Sequence, residues 1–178
     1  MIDKFANKYR FLSNFYKHRI SIWGLTGDSL EHLYQAAKEL DSFKSMSILH
    51  AKSPGKAKRM GTDTAERSDW YKFNIPLMGF LLVLKFSDPD LKRLLLDTGD
   101  QELFEGNTWH DNFWGGCSCK ECSKLEKLNL HGKLLMQVRE YYKSSDDEAE
   151  FFLNTGKLKD IPGISIFDIE TKSISGCL

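Results

Sequence analysis

The chain has 178 residues, enough for one domain with a single proper core. Lys plus Arg number 25 and Asp plus Glu number 25, so no global field exists to hold nucleic acid or an anionic membrane, and any nucleotide recognition has to be local. The start of the chain lacks a basic segment followed by an apolar run. Its most apolar stretch, residues 75–86, contains Pro76 and Lys85 and is too short to cross a bilayer, so a cytoplasmic protein with no membrane partner is expected.

Residues 5–16 read as extended chain and turn, with Ser13 and Asn14 inside an aromatic cluster. Residues 20–23 alternate enough for a short strand, and Gly24 and Gly27 bracket a turn. Asp28 or Ser29 can cap a helix in which Leu33, Ala36, Ala37 and Leu40 share one face. Glu31, Tyr34, Gln35 and Lys38 share the opposite stripe. An amphipathic helix would leave that stripe in water; a helix that buried both faces would carry an acid/base and nucleophile set. A second helical piece spans residues 42–50 and is broken at Ser53-Pro54-Gly55. Pro54 suits the first turn of a third helix through Met60, which Gly61 is expected to close in a left-handed conformation. A longer helix over residues 65–86 should kink or break near Pro76, and another follows from Asp88-Pro89 to Leu96. Residues 102–105 suggest a short strand, residues 106–126 a loop rich in Trp, Asp, Gly and Cys. Residues 128–142 return to helix, with Leu130, Leu134, Leu135 and Val138 on the buried side. The acidic run Asp146-Asp147-Glu148 marks a boundary between a domain at 1–143 and a C-terminal extension at 144–178. The expected fold is mainly α with minor β, a single compact helical domain with short strands.

Four ordered segments resemble the motifs of one family. They are Phe11-Leu12-Ser13-Asn14-Phe15-Tyr16 (LSNFY), Glu31 to Lys38 (EHxYQAxK), Ser53-Pro54 to Met60-Gly61 (SPxxAKxMG), and Asp111-Asn112-Phe113-Trp114-Gly115 with Gly132 to Arg139 (DxFWG…LGxLLMxVR). Together they are similar to the NADAR, or YbiA-like, N-glycosidase family. The resemblance implies a YbiA-like helical domain that hydrolyses N-glycosidic bonds with no obligate cofactor. It implies one of two substrates: ADP-ribose attached to guanine in a nucleotide or nucleic acid, or ribosylamino-pyrimidines of early riboflavin synthesis, a small nucleotide-like metabolite. A reading from another class is a non-catalytic module that binds ADP-ribose or nucleotide. The family's GxNxLG is replaced here by Glu126-Lys127-Leu128-Asn129-Leu130-His131-Gly132, with His131 in place of a leucine and one glycine missing.

Breaking a C–N glycosidic bond builds positive charge at the sugar C1 and negative charge on the departing base. It therefore calls for a carboxylate near C1 and a proton donor for the base. The resemblance makes Glu31 the catalytic carboxylate and Lys38 a nucleophile able to form a Schiff base with the opened sugar. It makes Asp111 an acid/base or ribose-hydroxyl ligand. The structural alternatives are helix-dipole complementation for Glu31, an ion pair for Lys38 and a loop-ordering turn for Asp111. Trp70 and Trp114 match family tryptophans; each can stack on a base, worth about 1–3 kcal/mol, or sit in the core. Arg10, Asn14 and Phe15 belong to the opening motif, and Asn14 can bond base or sugar or simply form a turn. Tyr34 and Gln35 can orient the sugar. Lys56, with Lys58 and Arg59 beyond it, stands at a helix start whose amides suit a phosphate. Cys117, Cys119 and Cys122 offer three thiolates toward a structural zinc, which wants four ligands; His110, His131 or Cys177 can complete the set, and free thiols or an accidental disulfide are the alternatives.

Overall fold

A computed structural model describes residues 1–22, 24–64 and 67–144. The acidic run at 146–148, the extension beyond it and Cys177 lie outside those residues. Ile20–Ile22 (β1) and Leu25–Gly27 (β2) pair antiparallel, Ile20 opposite Gly27, where the sequence suggested a strand followed by a turn. Gly24 makes the hairpin possible: its φ of +77 is a left-handed conformation open to glycine at little cost.

The helices follow their caps. Leu30–Ala36 (α1) starts after an extended Ser29 whose hydroxyl bonds His32 Nδ1 at 2.8 Å instead of capping a backbone amide. Ser42–Leu49 (α2) is capped by Asp41, which accepts from the amides of Phe43 and Lys44 at 2.9 and 3.0 Å. Pro54–Thr62 (α3) has proline in its first turn and is capped by Ser53. Trp70–Phe86 (α4) runs unbroken through Pro76, and Pro89–Leu96 (α5) is capped by Asp88. Gly106–Asn107 (β3) pairs in parallel with Gly116–Cys117 (β4), and Leu130–Ser144 (α6) follows. The core lies where α4, α5 and α6 meet, with Leu82, Val83, Phe86, Leu95, Leu134, Leu135 and Val138 fully buried. The fold is mainly α with minor β. Among the described residues no helix is long and apolar enough to cross a membrane.

Several expectations give way to non-local packing. Residues 5–16 are not extended throughout: Asn7–Leu12 is a 3₁₀ helix that buries Phe11 and Leu12. Residues 102–105 form no strand of their own; Leu103 makes a single bridge to Ile2, and the pairing shifts to Gly106 and Asn107. Leu40 is not on a buried face, since α1 ends at Ala36 and Leu40 is 73% exposed. Gly61 is not a left-handed cap but lies inside α3, pressed against α1. A β-carbon at Gly61 would lie 2.9 Å from Gln35 Cβ and closer still to Gln35 Oε1.

That contact makes a prediction whose sign is informative. In an open helix Gly→Ala stabilises by about 1 kcal/mol. Gly61→Ala should instead destabilise by about 1–3 kcal/mol, because the added methyl displaces the buried Gln35. Urea unfolding of the variant measures it, and a more stable variant would mean that Gln35 moves aside freely.

Candidate active site

Every residue of α1 is buried, Glu31, Tyr34 and Gln35 of the polar stripe included. The helix is packed among α2, α3 and α4, so the side that a surface helix gives to water here faces α3 and a cavity. His32 takes no part in that cavity; its Nε2 lies 3.0 Å from the Ala51 carbonyl and it ties α1 to the start of the next segment. The cavity has a volume of about 670 Å³ and is walled by Glu31, Tyr34, Gln35 and Lys38 with residues of the opening motif, α3, α4 and the 106–114 loop. That is the size range of small-molecule sites.

Glu31 is 5% exposed and accepts a hydrogen bond of 2.7 Å from Gln35 Nε2. Burial raises its pKa above the ordinary carboxylate value, against the opposing pull of Gln35 and of the Lys58 and Lys38 charges. Lys38 lies just past the end of α1, half-buried, its Nζ 5.9 Å from the Tyr34 ring centre and 5.7 Å from that of Trp70. Tyr34 joins two tryptophans edge-on, with ring centres 5.1 Å from Trp70 and 5.7 Å from Trp114. Trp70 is at once a core residue and a wall of the cavity.

Asn14 also faces the cavity. Its Nδ2 reaches Met78 Sδ at 3.4 Å, and its Oδ1 has no partner among the described residues, an acceptor available to an N–H of a bound base. The neighbouring Ser13 carbonyl is held by Lys85 Nζ at 2.8 Å from within α4. Burial pushes the Lys85 amine down to about 7, with Glu105 opposing. Asp111 lines the cavity and also orders its loop, its Oδ1 accepting from the amides of Phe113 and Trp114 at 3.1 and 2.8 Å. Arg10 and Phe15 complete the expected residues found at the wall. Lys56 is exposed and is not part of it; Lys58 is, with Nζ 5.9 Å from the Phe15 ring centre.

A further carboxyl group, outside every motif above, also reaches the cavity. Glu105 lines the same cavity and bonds His131 Nδ1 at 2.9 Å. Burial alone would raise its pKa, but His131, followed by Lys58 and Lys85, outweighs burial and holds it below the ordinary range. The site therefore carries one carboxyl held toward neutral and one held toward the anion, the arrangement that lets neighbouring groups divide acid and base roles. His131 is thereby removed from the cysteines. His110 instead joins Cys117, Cys119 and Cys122 in a cluster that could hold a metal ion, all four ligand atoms within 4.8 Å of one another.

A NADAR domain profile matches residues 2–143. The chain is 35% identical over 133 residues to a riboflavin biosynthesis protein of Vibrio vulnificus, covering 73% of this chain and 35% of that protein. It thus spans about a third of that relative's length. It is 35% identical over 138 residues to an N-glycosidase of Nostoc punctiforme, covering 74% of this chain and 85% of that one. With the N-glycosidase YbiA of Escherichia coli the identity is 34% over 138 residues, covering 76% and 82%. The NMR structure of E. coli YbiA matches with a TM-score of 0.66 at 30% identity, covering 89% of this chain and 90% of that one.

Proposed function

The chain belongs to the NADAR family, and from that membership we propose that it is an N-glycosidase that removes ADP-ribose from guanine. The observation that carries this reading is the buried Glu31 carboxyl, set with Lys38 at the wall of a cavity large enough for a nucleotide. As the C1–N bond breaks, Glu31 offsets the positive charge that develops at C1 and is a proton carrier through its raised pKa. Water supplies hydroxyl to C1 and a proton to the leaving base, so the reaction calls for no redox cofactor. Lys4, Arg10 and Lys58 line the same cavity and suit the two phosphates of ADP-ribose, while Tyr34, Trp70 and Trp114 offer ring faces and edges to a base. With such a substrate the proposed setting is the cytoplasm. A pure binding module has no use for a desolvated carboxyl beside an amine, since burying that group only costs stability.

The second reading within the same chemistry is a ribosylamino-pyrimidine of early riboflavin synthesis, favoured by the name of the Vibrio relative. Mass spectrometry separates the two. The protein is incubated in parallel with an ADP-ribosylated guanine oligonucleotide and with the ribosylamino-pyrimidine phosphate. Free ADP-ribose from the first supports the primary reading, and free pyrimidine from the second alone replaces it. Product from neither removes both.

A further inference from the structure

Glycosidic chemistry leaves the sulfur cluster without a role. We propose that His110, Cys117, Cys119 and Cys122 bind one structural zinc ion, which pins the loop bearing Asp111, Phe113 and Trp114 at the cavity. The loop's importance at the cavity rests on the N-glycosidase reading; the metal site does not.

The four ligands come from one short stretch of chain folded back on itself. Their donor atoms lie within 4.8 Å of one another, and His110 Nδ1 stands 3.3 Å from Cys122 Sγ and 3.4 Å from Cys119 Sγ. A tetrahedron built on metal–sulfur bonds of about 2.3 Å has edges of about 3.8 Å, so an ion enters with shifts of about an ångström at most. His110 holds a left-handed φ of 66, a conformation histidine adopts more readily than most residues. Its other ring nitrogen, Nε2, lies 3.6 Å from Glu121 Oε2. At that distance the carboxylate makes no direct hydrogen bond, but it sets negative charge on the Nε2 side of the ring, the side that outer-shell partners of metal-bound histidines occupy. The amides of Cys119 and Cys122 donate to Cys117 Sγ and Cys119 Sγ, both at 3.4 Å, and fold the chain around the sulfurs. A set of three sulfurs and one imidazole in a tetrahedron selects zinc among the divalent ions.

The loop has reason to need such a pin. Trp109 is 61% exposed, Phe113 40% and Leu125 57%, so three of its large apolar residues are poorly buried. The cluster is wired into the cavity wall. His110 precedes Asp111 directly, and the Cys117 amide donates to Asn112 Oδ1 at 2.9 Å. Cys117 also stands opposite Asn107 in the β3–β4 pair, and Asn107 Nδ2 donates to the Asp111 carbonyl at 2.7 Å. Binding releases the remaining thiol protons and orders both ends of the loop together.

Elemental analysis of the full chain, purified under reducing conditions, is expected to find about one zinc per chain. Cobalt exchanged into the site should show the visible bands of a tetrahedral sulfur-ligated ion. Cys119→Ser, and separately His110→Ala in case the first variant does not fold, should each lose most of the metal and the cobalt bands. Chelation should lower the melting midpoint and raise KM more than it lowers kcat. Protein that carries no zinc and takes up none when zinc is added overturns the proposal. So does iron in its place, or a full complement of zinc in the folded variants. Metal content is read without substrate, so a failed glycosidase assay leaves this result standing, and the reverse holds too.

Discussion

Glu31→Gln is expected to cost about a thousandfold or more in turnover and to yield a folded protein that melts higher at neutral pH. The two effects share one cause. A carboxyl that is 5% exposed with its pKa raised by burial is unfavourable in its charged form, and the fold bears that cost to keep the charge available at the cavity. Glutamine has nearly the same shape and can still accept the hydrogen bond from Gln35, but it cannot stabilise a cationic C1 or carry a proton. The pH dependence fixes the sign. The unfolded carboxyl ionises near 4.5 and the folded one only above that. Between the two values the unfolded chain binds fewer protons, so wild-type stability falls as pH rises through this window. The variant has no such loss. Its advantage should therefore be absent below the ordinary carboxylate range and reach a few degrees once pH exceeds the raised value. The acid limb of kcat/KM in the wild type should likewise lie above the ordinary carboxylate range. Near-wild-type turnover by folded Glu31→Gln would remove Glu31 from the mechanism. A melting gain that persists unchanged at low pH would assign the stability effect to something other than charge.

How much of this was legible in the sequence differs from residue to residue, for physical reasons. The starts of α2, α3 and α5 were legible because their signals are local: the structure shows Asp41, Ser53 and Asp88 acting on amides within three residues of themselves, next to the Pro54 and Pro89 that open two of these helices. Periodicity also placed Glu31, Tyr34, Gln35 and Lys38 on one stripe, but it cannot say whether a polar stripe meets water or a cavity. That depends on α3, and on Gly61 in particular. Gly61 follows a basic turn and has the local signature of a helix end, while its actual use is contact with Gln35 in another helix. The same spacing explains Lys58. One turn of α3 puts Lys58, Gly61 and Thr62 on a common face, and both Lys58 and Thr62 line the cavity, while Lys56 points elsewhere around the helix. Counting one turn back from Gly61, to i−3, would have found it. Glu105 and His131 are 26 residues apart and belong to no shared motif. The one sequence signal was the histidine standing where the family has leucine. Asp111 had two readings, site residue and loop-ordering turn, and its carboxylate binds two loop amides while lining the cavity, so the two are compatible.

Lys38 is expected to form an imine with the substrate sugar. In that course Nζ attacks C1, the C1–N bond breaks and its electron pair leaves with the base, which takes a proton. The ring oxygen then opens as nitrogen lends its pair, and water later frees the sugar and restores the amine. The amine must lose its proton before it attacks, and a fully charged Glu31 beside it would oppose that loss. Burial raises the Glu31 pKa and so makes its anion a better acceptor for that proton, and once neutral it no longer opposes the free amine. The Tyr34 and Trp70 rings, within 6 Å of Nζ, favour the cation and act the other way, which makes the protonation of Glu31 the deciding element. Borohydride added during turnover should reduce the imine, inactivate the enzyme and leave a sugar adduct on the peptide that contains Lys38. Lys38→Ala should lose about a hundredfold or more in turnover and give no adduct. Lys38→Arg should rescue neither, because a guanidinium stays protonated. If no adduct can be trapped from active enzyme and Lys38→Ala still hydrolyses substrate, Lys38 is a positioning charge and Glu31 activates water directly. The same Glu31→Gln variant then separates the two courses: with an imine course it should still bind substrate and form a trace of adduct, and with direct water attack it should bind and form none.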